Sequence, residues 1–185
     1  MSEWFETLPG LHDQVWQQLT HGAARRDVAA RQPTLATISP DGWPEARTVV
    51  LRRAVADPAM LEVYTDTQSD KIASIAAHPR AALHFWEPAL ALQVRLQATV
   101  EVISGPTVAD RWQELPDGAL LSYGVTPPPG TTLPHALDYT KTPDQSRFCV
   151  LQLALGHIDV MHLGTYHRRA SFSATDGWTG KWVSP

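Results

Sequence analysis

Two positively charged side chains, Arg47 and Lys71, bracket a stretch whose residue types suit an anion. Arg47 opens the strand-like run Arg47-Thr48-Val49-Val50-Leu51-Arg52, and Ser69-Asp70-Lys71 opens a helical pattern further on. Arg47 offers a planar fork of donors and Lys71 a compact charge. The first turn of the helix adds unpaired amides and the positive end of its dipole. That chemistry fits a phosphate. Tyr64 and Thr65 lead toward the helix, and Gln93-Val94-Arg95-Leu96-Gln97-Ala98 sets polar side chains into a later strand-like run. Strand parity places Arg47 and Arg52 on opposite faces, so together they suit one extended ligand rather than one small anion, with Arg52 brought round by a twist or bulge. Taken alone, Arg47, Arg52 and Lys71 fit a solvated strand edge and helix equally well.

The elements that must position these residues follow from the hydrophobic pattern. Leu11, Val15, Trp16 and Leu19 recur at helical spacing and predict a helix over about 10–24 that covers one side of a sheet. Thr34 to Ser39, a Pro40-Asp41-Gly42 turn and Glu45 to Arg53 read as a hairpin, and Met60 to Thr65 as a third strand. Ile72, Ile75 and Ala76 give the short helix after Ser69 its apolar face, and Pro79 ends it. Arg80 to Trp86 and Leu90 to Ser104 read as strands, and Val108 to Leu115 as a weaker helix. A long excursion over about 116–146, with the tract Pro127-Pro128-Pro129-Gly130, is expected to cover a pocket or a partner subunit. Strands return at Arg147 to Ala154, His157 to Leu163, Ala170 to Ala174 and Gly177 to Val183, with Gly156 marking a turn. Consecutive strands with one intervening helix favour a small antiparallel β-barrel in a single domain spanning 1–185.

Composition excludes more than it suggests. The chain has 185 residues, 43% hydrophobic and 18% charged, which is enough for one core. A net charge of -4 gives no global field toward nucleic acid or anionic lipid, so affinity for phosphate must be local. The single cysteine, Cys149, lies among apolar neighbours and reads as a buried thiol. Eight histidines invite a metal, but His157, His162 and His167 are spaced by five without carboxylate or cysteine partners, and no metal is expected. Nothing resembles a leader or a membrane span, so a cytoplasmic protein is the expectation.

These motifs resemble the pyridoxamine 5'-phosphate oxidase family, specifically its oxidase-related branch. The resemblance covers Thr34 to Pro185 and implies an FMN-binding split β-barrel, mainly β with flanking helices and a Greek-key antiparallel order. It implies FMN contacts from Arg47, Thr48, Val49, Val50, Leu51 and Arg52, from Tyr64, Thr65, Ser69 and Lys71, from Gln93 and from Arg169, with His167 on the substrate side. Gln93 would reach the flavin of a homodimeric partner. Asp70 stands where the family often has arginine, Met161 where it has a tryptophan, and Thr165 where it has a substrate-phosphate arginine. The last change removes about 1.5–3 kcal/mol of charged hydrogen bonding, which argues against pyridoxamine phosphate as the substrate. The implied function is a flavin-dependent oxidoreductase acting by hydride transfer on an unidentified small substrate, with no catalytic acid or base assigned. The alternative is a non-catalytic flavin, haem or deazaflavin binding protein.

Overall fold

A computed structural model describes residues Glu3–Pro185. Helix α1 (Leu8–Ala24) starts where Thr7 accepts the amide of Gly10 through its Oγ1, with Pro9 in the first turn. It buries Leu11, Val15, Trp16 and Leu19, the face read from the sequence. Burial of that kind stabilises by roughly 1.5–3 kcal/mol per large side chain.

The sheet then runs β1 (Thr34–Ile38), β2 (Pro44–Thr48), β3 (Leu51–Val55), β4 (Met60–Asp66), β5 (Arg80–Glu87) and β6 (Leu92–Ser104). Helix α2 (Asp70–Ala77) sits between β4 and β5. A short helix, α3 (Ala109–Gln113), lies within the helix expected over Val108 to Leu115, and a second, α4 (Asp117–Leu120), with the paired dipeptides β7 (Val125–Thr126) and β8 (Thr140–Lys141), lies in the excursion. Strands β9 (Phe148–His162), β10 (Arg168–Ser173) and β11 (Lys181–Val183) complete it. The order is β11-β10-β9-β6-β5-β1-β2, with β4 pairing β3 and β9, all antiparallel. This is the antiparallel barrel expected from the strand pattern. Leu35, Leu83, Leu96, Ile158 and Phe172 lie in register on its inner face, each at most 1% exposed.

Two expectations about the strands change. The run Glu45 to Arg53 is broken at Val49 and Val50: the Val49 amide still donates to the carbonyl of Pro33, one step beyond the Thr34–Thr48 pair, but Pro33 has no amide to return, and β3 leaves to pair with β4. The strands expected on either side of Gly156 are one strand, β9. Gly156 falls between the pairs Gln97 with His157 and Ala98 with Leu155, so it is the extra residue of a bulge rather than a turn.

Candidate functional site

Register and alternation set the site before any contact is considered. Arg47 lies opposite Leu35 and Glu45 opposite Thr37, so these side chains share the inner face, beneath α2. Arg47 Nη1 donates to Thr37 Oγ1 at 2.6 Å and Nη2 to Glu45 Oε2 at 2.8 Å. The Ser74 hydroxyl of α2 donates to the same Glu45 oxygen at 3.1 Å. A second set adjoins it: Lys71 Nζ donates to Thr65 Oγ1 at 3.0 Å, and Thr65 Oγ1 and Ser69 Oγ lie 3.1 Å apart. Burial, and after it the charge of Arg47, push the Lys71 ammonium below its ordinary pKa. Two cations held near each other at a half-buried site favour an anion between them.

The start of α2 strengthens that reading. Ser69 occupies the N-cap position, yet its hydroxyl donates back to the carbonyl of Asp66 and caps nothing. Among the described residues no protein group accepts the amides of Asp70 or Lys71. A phosphate would find there two cations, two hydroxyls and two free first-turn amides, so the residues present fit the phosphate end of FMN. The Asp70 carboxylate lies close against Gly130 of the excursion, and its charge partly offsets the depression of Lys71.

The excursion is pinned beside α2 by a buried carboxylate. Asp66 Oδ1 accepts from Arg147 Nε and Nη2 at 3.1 and 2.9 Å, and Asp66 Oδ2 accepts the Gly124 amide at 3.0 Å. Arg147 also donates to the carbonyl of Val125. Gly124 has φ +111, and a Cβ there would strike the carbonyl of Thr142, so only glycine fits. Cys149, opposite Thr65 on β9, is fully buried; burial and the nearby Asp66 push its thiol up to about 12, leaving it inert near neutral pH.

Arg52 lies elsewhere. The β3–β4 register slips between Leu51 and Arg53, leaving Arg52 as the extra residue of a bulge. Its guanidinium sits 5.8 Å from the centre of the Tyr64 ring, in a cavity of about 150 Å³ that Arg31, Arg111 and Glu114 also line. Burial, then Glu62, push the Tyr64 hydroxyl up to about 12, so it is a neutral donor in that cavity. Thr48, Val49, Val50 and Leu51 form the broken connection between the Arg47 set and this cavity, with Val49 and Leu51 buried in the core.

Gln93 and Arg169 occupy the other side of the sheet. Trp86, Gln93, Met161 and Arg169 are in register on the face opposite the Leu83 and Leu96 core. Asp159, one pair along, accepts from Arg169 Nη2 at 2.8 Å and pairs with Arg95 Nη2 at 2.9 Å. Burial alone would raise the Asp159 pKa, but the hydrogen bonds from Arg169 and Arg95 hold it below its ordinary value. His167 is exposed just before β10. His162 is turned away from this face: it stacks on Phe5 at 4.1 Å, with its Nδ1 buried and unpaired. A single chain thus brings Arg47, Thr65, Ser69 and Lys71 together but sets Gln93 and Arg169 on the opposite face. Along β9 the Thr65 partner Cys149 and the Arg169 neighbour Asp159 are separated by roughly 33 Å of strand.

Sequence reasoning missed Thr37, Glu45 and Ser74 as partners of the Arg47 set. Glu45 was within reach of it, since it lies two residues before Arg47 on the same strand face; Thr37 needed the hairpin register and Ser74 the docking of α2.

The class the fold defines is an antiparallel β-barrel, with a helix start and two nearby cations that suit an anion. Comparison with known proteins gives the family. The profile described as pyridoxamine 5'-phosphate oxidase, FMN-binding domain, matches residues 13–104. The pyridoxine/pyridoxamine 5'-phosphate oxidase of Caulobacter vibrioides is 30% identical over 181 aligned residues, covering 82% of this chain and 74% of that protein. The protein of that name from Microcystis aeruginosa is 46% identical over 71 residues, 38% of this chain; the match spans only 32% of its own length. A solved structure of a pyridoxamine 5'-phosphate oxidase-related, FMN binding protein from Nostoc punctiforme has TM-score 0.76 and 27% identity, over 100% of this chain and 98% of that one. PhzG from Burkholderia lata, solved with tetrahydrophenazine-1-carboxylic acid, shares the fold at TM-score 0.76 and 14% identity, with coverage of 100% and 98%. The chain belongs to the pyridoxamine 5'-phosphate oxidase family of FMN-binding domains, and FMN is its cofactor.

Proposed function

We propose that the protein is an FMN-dependent oxidoreductase of the oxidase-related type, working as a homodimer with two equivalent clefts. FMN, when bound, would supply a ring able to exchange a hydride with a small substrate, with oxygen or a nicotinamide completing the cycle. Arg47 and Lys71 neutralise the phosphate, which carries about -1.5 to -2 charges near neutral pH. Ser69, Thr65 and the first amides of α2 orient it. The observation that carries the reading is the pairing of Arg47 and Lys71 over a helix start whose N-cap serine leaves the amides free.

The opposed faces support the dimer. Gln93 and Arg169 lie across the sheet from the phosphate set of their own chain, so in this reading they serve a second copy related by symmetry. The half-exposed Trp86 beside Gln93, and a groove of about 610 Å³ lined by Ile38, Pro44, Ala82, Gln97 and His157 on the same side of the sheet, offer apolar surface for that contact. Arg169 and Gln93 would then steady the ring edge, with His167 at the open side.

Arg52, in the bulge, faces the small arginine-lined cavity, where it would hold an anionic part of the substrate. Thr165 offers no charge at the place where the family binds a substrate phosphate, so pyridoxamine phosphate is not the favoured substrate.

Anaerobic mixing of the flavin-loaded protein with NADH, NADPH and small amine or carboxylate donors tests turnover. Bleaching of the flavin by at least one donor, reversed by air, is expected. Flavin that none of these donors reduces would favour a storage or carrier role.

A further inference from the structure

We propose that Glu45 is an internal counter-ion of the phosphate site: its carboxylate holds the Arg47 guanidinium in the flavin-free chain and competes with the FMN phosphate for it. The inference rests on the reading of Arg47 and Lys71 as phosphate ligands. Its basis is geometric. The hairpin register puts Thr37, Glu45 and Arg47 on one face, and Arg47 spreads its fork between Thr37 Oγ1 at 2.6 Å and Glu45 Oε2 at 2.8 Å. The same Glu45 oxygen accepts the Ser74 hydroxyl at 3.1 Å, so α2, the helix that carries Lys71, also anchors the carboxylate. The Glu45 side chain is 36% exposed and that of Arg47 24%, a contact at the mouth of the site rather than in the core.

Charge makes the consequence. Among the described residues Glu45 is the one carboxylate in salt-bridge contact with Arg47, and none is in such contact with Lys71. Arg47 and Lys71 together balance a phosphate of about -1.5 to -2 charges; with Glu45 in place the site is left negative once the phosphate enters. The phosphate must displace a carboxylate that already uses one arm of the fork. A ligand with a large ring makes up that loss through its other contacts, whereas inorganic phosphate has none to offer. Glu45 therefore lowers the affinity of the site for every phosphate alike, so that only a phosphate attached to a ring with further contacts is held well.

The test measures the dissociation constants of FMN, riboflavin and inorganic phosphate for the flavin-free protein and for Glu45→Gln and Glu45→Ala. Quenching of flavin fluorescence reads the first two ligands, and competition with FMN reads the third. Both variants are expected to bind FMN and inorganic phosphate roughly tenfold more tightly than the parent, the scale of one nearby unit charge at a partly solvated site. Riboflavin affinity should not change, because it lacks the phosphate. FMN binding that is weakened or unchanged in Glu45→Gln would overturn the proposal, since that variant keeps the shape of the side chain and loses only its charge. Weakening in Glu45→Ala alone would also overturn it and make Glu45 a positioning residue for Arg47. A parent protein that binds FMN no better than riboflavin would sink the phosphate reading itself, a result distinct from any difference between the variants.

Discussion

At the scale of single residues, the environment decides what each titratable group can do. Cys149 carries a thiol pushed up to about 12 and is packing, not chemistry. His162 shows the opposite pull on a base. Burial first, then the charges of Arg168 and His167, hold its pKa below the ordinary 6.5. The Arg168 guanidinium lies 4.8 Å from the Phe5 ring on which His162 stacks, and Glu6 approaches Arg168 at 3.8 Å. An unfolded chain takes a proton on this histidine near 6.5, while the folded chain resists until lower pH. Stability is therefore whole above that value and falls as pH drops through the folded value. Urea unfolding at about pH 7.5 and about pH 5 should show this loss, and His162→Phe, which keeps the apolar stack, should lose less over the same interval. An equal loss in both proteins would remove His162 as the cause. His12, whose pKa burial also lowers, contributes in the same direction and is unchanged in the variant.

At the scale of elements, the clamp between Asp66 and Arg147 joins the end of β4 to the part of the excursion after α4. Asp66 is 4% exposed, and its partners come from Gly124 and Arg147 at the two ends of the loop. Removing one member of a buried, fully bonded pair leaves the other charged and unpaired, which costs about 3–5 kcal/mol. Arg147→Met is expected to lose stability on that scale in chemical denaturation and to expose the segment between Gly124 and Arg147 to protease. A loss below about 1 kcal/mol would mean that the loop is held by other contacts. The same scale shows what was legible in the sequence. Periodicity gave α1, α2 and most strands, because their apolar positions repeat with one period. It gave neither the break at Val49 and Val50 nor the bulge at Gly156, because both arise where a strand changes partners, and pairing is not written in the residues of one strand. Ser69 and Lys71 were legible as a helix start suited to an anion, and Arg47 joined them through the family resemblance rather than through its own spacing. The position of Glu45 was within reach on the same strand face, but its part in the set was not, because a carboxylate beside an expected anion looks out of place until Ser74 is seen to anchor it.

At the scale of the whole molecule, the two halves of the expected flavin site lie on opposite faces of one sheet, so the proposed dimer would tie cofactor binding to assembly. Mixed dimers test that link. Arg47→Ala and Arg169→Ala each damage both sites of a homodimer, but a hybrid of the two has one site with both arginines and one with neither. Unfolding and refolding the variants together should restore flavin binding toward the statistical share of hybrids, whereas each variant alone stays depleted. No recovery in the mixture would mean that Arg169 serves the site of its own chain or none. Among the described residues no helix is long and apolar enough to cross a membrane.

The most direct measurement is the visible absorption spectrum of the freshly purified protein and of Arg47→Ala, with any chromophore released by heat identified by mass. The parent protein should carry FMN, and Arg47→Ala should lose about 1.5–3 kcal/mol of phosphate binding and come off the column largely colourless. A parent protein that is colourless and takes up no added FMN, or an Arg47→Ala variant that keeps its full flavin, would contradict the assignment of the Arg47 and Lys71 site.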